Sequence, residues 1–141
     1  MPIEIELRHD GVGVIVNFDG AVDIKNFDDV QNHFLCSPEV LKKVRYAIVD
    51  LTSVETLSLN YEEMVSIVER DKRIAALTPP GALVAVASPR DWVYGRMWEA
   101  LLDQIGWETM TFRSRVEAEY WIQQRAKEKF GIVLADKPFH P

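Results

Sequence analysis

The chain has 141 residues, of which 48% are hydrophobic and 27% charged, and its net charge is -6. This size and composition indicate one globular domain with a substantial core, so we expect a single domain over residues 1–141, with its core at about 3–130 and a tail at 131–141. The acidic balance excludes a general attraction to nucleic acids or anionic membranes, and we expect neither as a partner.

Two strands of a hairpin open the chain. Alternating apolar and acidic residues predict an edge strand at Ile3–Leu7, and a run of branched residues predicts a better-buried strand at Val12–Phe18. Asp10 and Gly11 between them are typical of a hairpin turn. Asp23 then precedes the first amphipathic helix.

Short apolar segments that alternate with helices come next. Tyr46–Leu51 and Ala82–Ser88 are nearly continuous apolar runs, which are typical of parallel strands covered by helices. Glu108–Phe112 predicts a fifth, weaker strand. This order predicts an α/β domain with a mixed, mostly parallel sheet of about five strands, an opening β-hairpin and helices on both faces.

The helices between these strands are marked by their first residues. Asn60 with Glu63, and Ser114 with Glu117, have the spacing of a capping box. In such a box, a short polar side chain and an acid three residues later bond the free N–H groups of the first turn. Pro89 fits the first position of a further helix, where its missing N–H has no cost.

Cys36 is the single cysteine, which excludes an internal disulfide and a thiolate zinc site. It follows the apolar end of a helix, so we expect a buried, inert thiol. The first residues lack the basic and apolar regions of a signal peptide, and no apolar run approaches the ~20 residues of a membrane helix. We therefore expect a cytoplasmic protein that is not integral to a membrane.

Motifs of catalysis and of metal binding are missing from the sequence. It contains no GxGxxG, GxxxxGK[ST], HExxH or GxSxG motif, and His9, His33 and His140 have no ligand spacing among them. No buried acid pair with opposed environments is recognisable. We therefore expect a protein that is not an enzyme and that uses neither cofactor nor metal.

An aromatic-rich segment follows the second parallel strand. The segment contains Trp92, and Tyr94, Trp98 and Leu101 occur at helical spacing beside an apolar stripe, so apolar residues cover a wide arc of this helix. Two interpretations stay open: the rings cover the sheet, or they bind a partner or an apolar ligand. The second interpretation predicts that Trp92 or Trp98 is partly exposed.

The carboxyl ends of the parallel strands form another candidate site, because ligands of open α/β sheets bind beyond those ends. Helix amino termini at the same edge favour anions, so Arg90 and Arg113 are candidates to hold a phosphate or carboxylate, although Glu62 and Glu63 oppose it. The polar residues expected at this edge are Asp50, Thr52, Ser53, Ser88, Arg90, Arg113 and Ser114.

The segment Ala47–Val65 resembles the STAS-domain family, the anti-sigma-factor antagonists and their relatives, especially the SpoIIAA-like group. Those proteins carry an aspartate, a leucine and a small hydroxyl residue at the end of a central strand, before a turn and a helix. The order of elements also resembles the family from about Ile3 to Phe130. The matching residues are Asp50, Leu51, Thr52, Val54 and Leu57, with later similarities at Phe112, Glu117, Ala118 and Trp121.

The serine that is phosphorylated in those antagonists has no counterpart in this chain. Where the family has its Asp-Ser-Ser-Gly turn, the sequence reads Ser58-Leu59-Asn60-Tyr61, and neither Leu59 nor Asn60 accepts a phosphate. Ser53 and Ser58 are either modified near the helix start or serve the turn, with Asn60 as the helix cap. We favour the cap and expect no phosphoserine switch.

The resemblance implies a non-enzymatic regulatory module of the bacterial cytoplasm that binds a protein partner or a small apolar ligand. The alternative is a sensor of small metabolites or anions, or a small enzyme, at the strand ends. A homodimer formed through the Trp-bearing helix or through Ile3–Leu7 is a third hypothesis. The candidate binding residues are Thr52, Ser53, Ser58, Asn60, Tyr61, Met64, Ser88, Arg90, Trp92, Trp98 and Arg113.

Overall fold

A computed structural model describes residues 3–89, 92–102 and 105–134, apart from the side chains of Trp92 and Val93. The candidate Arg90 and the chain beyond residue 134 lie outside the described residues. In chain order the elements are β1 (Ile3–Arg8), β2 (Gly13–Asp23), α1 (Ile24–Leu35), α2 (Pro38–Leu41), β3 (Tyr46–Ser58), α3 (Tyr61–Ala75), β4 (Leu83–Ala87), α4 (Trp92–Leu101), β5 (Glu108–Phe112) and α5 (Arg115–Phe130).

One sheet contains these strands in the order β1-β2-β3-β4-β5. β1 pairs antiparallel with β2, and the pairs β2-β3, β3-β4 and β4-β5 are parallel. The hairpin turn has positive φ angles at His9, Asp10 and Gly11, which suit a tight reversal. The predicted mixed, mostly parallel sheet with an opening hairpin is confirmed.

Helices cover both faces of the sheet, as the sequence predicts. Alternate strand residues point to opposite faces, and each face has its own apolar layer. Val14, Val16, Val84 and Val86 pack in the layer with α1, α3 and α4. Ile15, Ile48, Leu83 and Ala85 pack in the layer with α5. No helix among the described residues is both long and apolar enough to span a bilayer.

The ends that the sequence predicts for β2 and β3 are wrong. β2 continues past Phe18 to Asp23, and β3 continues past Leu51 to Ser58. The two extensions pair with each other in parallel, with two register shifts at which β3 has one residue more than β2. The predicted hydroxyl-rich turn is therefore strand, because its β-branched threonines and valine fit a pleated, half-buried surface.

The expectation of a buried Cys36 is also wrong, since this residue is exposed. Cys36 caps the carboxyl end of α1, and its N–H donates to the carbonyl of Asn32. The buried residue of this turn is Phe34. Two residues further along, a side chain lies about 200° around the helix, which turns the thiol away from the core.

The start of α3 has the predicted capping box. Asn60 Oδ1 accepts a hydrogen bond from the N–H of Glu63 at 2.7 Å. Glu63 Oε1 accepts a bond from the N–H of Asn60 at 2.9 Å. Two N–H groups that have no partner within the helix are therefore satisfied reciprocally.

We predict that Asn60→Ala destabilises the fold by about 1 kcal/mol, because it removes this cap. Ser58→Ala is the matched control and should change stability by less than about 0.5 kcal/mol, since Ser58 is exposed at the end of β3. Urea denaturation measures both values. Equal losses in the two variants would contradict the assignment of Asn60 as the cap.

Candidate functional site

Asp50, which the sequence predicts at the end of its strand, lies inside β3, level with the carboxyl ends of β4 and β5. Asp50, Ala87 and Phe112 share one row of the sheet. Ser88 is buried next to this row, and its N–H donates to the carbonyl of Phe112 at 2.8 Å. Because Ser88 is buried, its side chain is poorly accessible to a bound ligand.

The arginine that forms ion pairs at this edge is Arg115, which is not among the residues predicted from the sequence. Its guanidinium donates to Asp50 Oδ2 at 2.8 Å, to Glu119 Oε1 at 2.7 Å and to Asn17 Oδ1 at 3.2 Å. Desolvation acts to lower the pKa of Arg115, but the hydrogen bond and charge of Asp50, with Glu119, raise it overall. Two carboxylates thus neutralise this cation, and it is not available to an anionic ligand. Arg113 is exposed and is not the residue that pairs with Asp50.

The hydroxyl-rich end of β3 is accessible to solvent. Thr52, Ser53, Ser58 and Asn60 are exposed, and Tyr61 retains 62% of its accessible surface. Thr52 uses its hydroxyl locally, donating to Asp50 Oδ1 at 2.6 Å. These exposed candidates alternate with buried residues such as Val54 and Leu59, and their side chains are accessible to a macromolecule.

Trp98 does not lie on an exposed aromatic surface, so the exposure expected of Trp92 or Trp98 is not found at Trp98. Only 8% of Trp98 is accessible. Its indole Nε1 donates to Asp71 Oδ2 at 2.7 Å. This bond orients the ring toward α3, where the apolar faces of two helices meet. The side chain of Trp92 is not among the described parts of the structure.

An apolar cavity of about 140 Å³ lies between the sheet and helices α1, α3 and α4. Trp98 and Met64, which the sequence analysis named as candidates, line it from two helices. Other lining residues include Val16, Val49, Val86, Phe34 and Ile67. Protein interiors contain few voids larger than a water molecule, so a cavity of this size is unusual in so small a domain.

One wall of the cavity carries two polar side chains, Gln31 and Asp71. Gln31 is 4% exposed, and its Nε2 donates to the carbonyl of Ile67 at 2.8 Å and to Asp71 Oδ1 at 2.9 Å. These two acceptors fix the orientation of the amide. Gln31 Oε1 consequently faces elsewhere, and no described residue donates to it.

Asp71 is a carboxylic acid held in apolar surroundings. Part of the residue reaches solvent, but its carboxyl group is enclosed by Gln31 and Trp98. Desolvation raises the pKa of Asp71 to about 6, against the lowering effect of these two hydrogen bonds. No ion pair joins Asp71 to a basic side chain among the described residues.

Neither Gln31 nor Asp71 was predicted from the sequence, although the spacing of apolar residues around each of them identifies both. Asp71 lies between Ile67 and Ile74 at i+4 and i+3 spacing, and therefore falls on the apolar stripe of α3. Gln31 lies between Phe27 and Phe34 on α1 in the same way. A polar residue on an apolar stripe marks a group that the fold must bury.

The described lining of the cavity contains one carboxylate among otherwise uncharged side chains. Asp71 is the only carboxylate among the described residues that line it, and none of these is Ser, Cys, His, Lys or Arg. A catalytic pair needs two titratable groups in opposed environments. The described part of the chain also contains no group of three or more His, Cys, Asp or Glu side chains placed to hold a metal ion.

We predict that Asp71→Asn stabilises the protein by about 1–2 kcal/mol at about pH 8 and gives no gain near pH 4. The folded-state pKa of Asp71 is raised to about 6. Ionisation therefore lowers stability as pH rises from about 4, the ordinary aspartate pKa in an unfolded chain, through 6. An amide avoids this penalty of about 3 kcal/mol but loses one acceptor toward Gln31 or Trp98, which leaves the smaller net gain.

Chemical denaturation at the two pH values measures the effect. Asp29→Asn is the matched control, because Asp29 is exposed on α1 and its substitution should show no such pH dependence. A difference in stability between Asp71→Asn and the wild type that is the same at both pH values would show that the carboxylate is not desolvated.

Comparison of the sequence with models of known families and with curated proteins finds no match. Solved structures that resemble this chain include an uncharacterised protein of the DUF3478 family with a SpoIIAA-like fold from Shewanella loihica PV-4. It superposes with a TM-score of 0.54 at 14% identity, over 84% of this chain and 90% of that one.

The anti-sigma factor antagonist SpoIIAA, in its unphosphorylated form, is a second similar structure. Its TM-score is 0.52 at 14% identity, over 85% of this chain and 96% of that one. Both superpositions span most of both chains, so the similarity concerns the whole arrangement of strands and helices. The resemblance seen in the sequence is confirmed at the level of fold: the chain has a SpoIIAA-like fold.

Proposed function

We propose that this protein is a non-enzymatic regulatory module of the bacterial cytoplasm that binds a small apolar molecule in the cavity beneath α1, α3 and α4. The cavity of about 140 Å³ is the observation that carries the proposal. An engineered cavity of about 150 Å³ with a comparable apolar lining binds benzene or xenon. A ligand with a single ring is therefore the size expected here.

The free energy of the fold also supports an occupant. An unfilled cavity costs about 24 cal/mol per Å³, which gives about 3 kcal/mol for 140 Å³. The net stability of a domain is only about 5–15 kcal/mol. A ligand that fills the space recovers the lost packing contacts and stabilises the folded state in proportion to its affinity.

A protein partner at the end of β3 is the second candidate function, favoured by the exposure of Tyr61. Its ring is 62% exposed beside the exposed Ser58 and Asn60. Tyrosine is enriched at protein interfaces because its ring is large, rigid and amphipathic. Tyr61 does not line the cavity, so the two functions can coexist on one domain.

We predict that toluene binds the wild-type protein and that Ala47→Leu weakens this binding at least tenfold. Ala47 lies on β3 and lines the cavity, so a larger side chain there occupies the ligand's space. Ala21→Leu is the matched control, because Ala21 is exposed on the extension of β2. The control should bind toluene with unchanged affinity.

Methyl NMR titration measures this binding directly. The methyl resonances of Val16, Val49 and Val86 should shift with toluene concentration, and those of Ile15 and Ile48 on the opposite face should not. Thermal melting should show a parallel stabilisation. Unmoved cavity methyls, or equal toluene affinity in wild type and Ala47→Leu, would contradict the proposed function.

A further inference from the structure

We propose that the molecule bound in this cavity carries a protonated primary amine, and that the Asp71 carboxylate and Gln31 Oε1 bind its ammonium group. The inference rests on the proposed function, because it names the class of ligand for the same cavity. The rest of the ligand is apolar and about the size of one aromatic ring, as the remaining walls require.

The side-chain oxygen of Gln31 is buried and accepts no hydrogen bond from a described residue. Its amide nitrogen is already committed to Ile67 O and Asp71 Oδ1, so rotating the amide by 180° would place an oxygen against two acceptors. The orientation with Oε1 unpaired is thus the favourable one. A buried acceptor without a donor is costly, and Gln31 is one of the residues that line the cavity.

The negative charge of Asp71 is not compensated by a basic side chain among the described residues. The pKa of about 6 leaves this acid mostly ionised at neutral pH. Each carboxylate oxygen accepts one hydrogen bond, from Gln31 and from Trp98 respectively, and each has a further lone pair. A buried carboxylate is stable when it is paired with a cation.

The neighbouring basic side chains already face other acids. Arg70 bonds Asp28 across the α1-α3 contact. Lys72 Nζ lies 3.3 Å from Glu69 Oε1 on the exposed side of α3. Neither of these cations pairs with Asp71, so a positive charge at Asp71 is best supplied by the ligand.

The donor count distinguishes an amine from other polar groups. The polar wall offers acceptors at Gln31 and Asp71, while the donors of both Gln31 and Trp98 are used. An ammonium has three donors and no acceptor, so it matches this wall. A hydroxyl supplies one donor and adds an acceptor without a partner, and a carboxylate is repelled by Asp71.

Three probes of nearly equal size test the inference: benzylamine, benzyl alcohol and toluene. We expect benzylamine to bind the wild-type protein at least tenfold more tightly than either neutral probe, as measured by methyl NMR titration. Asp71→Asn should abolish this preference, so that benzylamine binds no more tightly than toluene. Glu69→Gln is the matched control on the exposed side of α3 and should preserve the preference.

A second variant and a measured ligand-protein contact test the same inference without relying on Asp71→Asn. Gln31→Met retains the length of the side chain but lacks the amide oxygen, so it should reduce the preference for benzylamine several-fold. In the wild type, nuclear Overhauser effects should join the methylene next to the amine to the indole N–H of Trp98. Contacts from the ring instead of the methylene would overturn the proposed orientation.

The outcomes separate this inference from the proposed function. If toluene binds and benzylamine is not preferred, the inference of an amine ligand is wrong and the apolar site remains. Water would then donate to Gln31 Oε1. An absence of binding by all three probes would overturn the proposed function itself. A benzylamine preference that persists in Asp71→Asn would overturn the role assigned to Asp71.

Discussion

The parallel pairing of β2 with β3 places the two helices that carry the polar wall. The register matches Asp23 with Ser58 at the ends of these strands, and α1 and α3 begin immediately beyond them. Both helices rise by about 1.5 Å per residue. Gln31, eight residues after its helix cap, therefore meets Ile67, seven residues after the other cap. A shift of register would separate these groups.

The polar wall of the cavity lowers the stability of the fold. An apolar residue in place of Asp71 would continue the stripe of α3, and closer packing would close the cavity. The chain instead buries an acid whose ionisation is unfavourable and leaves an amide oxygen without a protein donor. Local departures from good packing and full hydrogen bonding of this kind concentrate at functional sites.

Hydrophobic pattern and helix caps are local, so the sequence predicts them well. Five strands, the opening hairpin and the box at Asn60 all follow from neighbouring residues. The extension of β3 depends on a partner strand that lies far away in the chain, and hydroxyl residues are equally common in turns. The cavity was not predictable from the sequence, because its volume depends on how closely three helices approach the sheet. The burial of Trp98 depends on the same packing.

Cys36 has a practical consequence that follows from its place on α1. It is the one thiol of the chain, it is exposed, and it ends the helix that carries Gln31. A fluorophore or spin label can therefore be attached at a single site without prior mutagenesis. Such a label would report how far α1 moves from the sheet as the interior fills, in the native sequence and in real time.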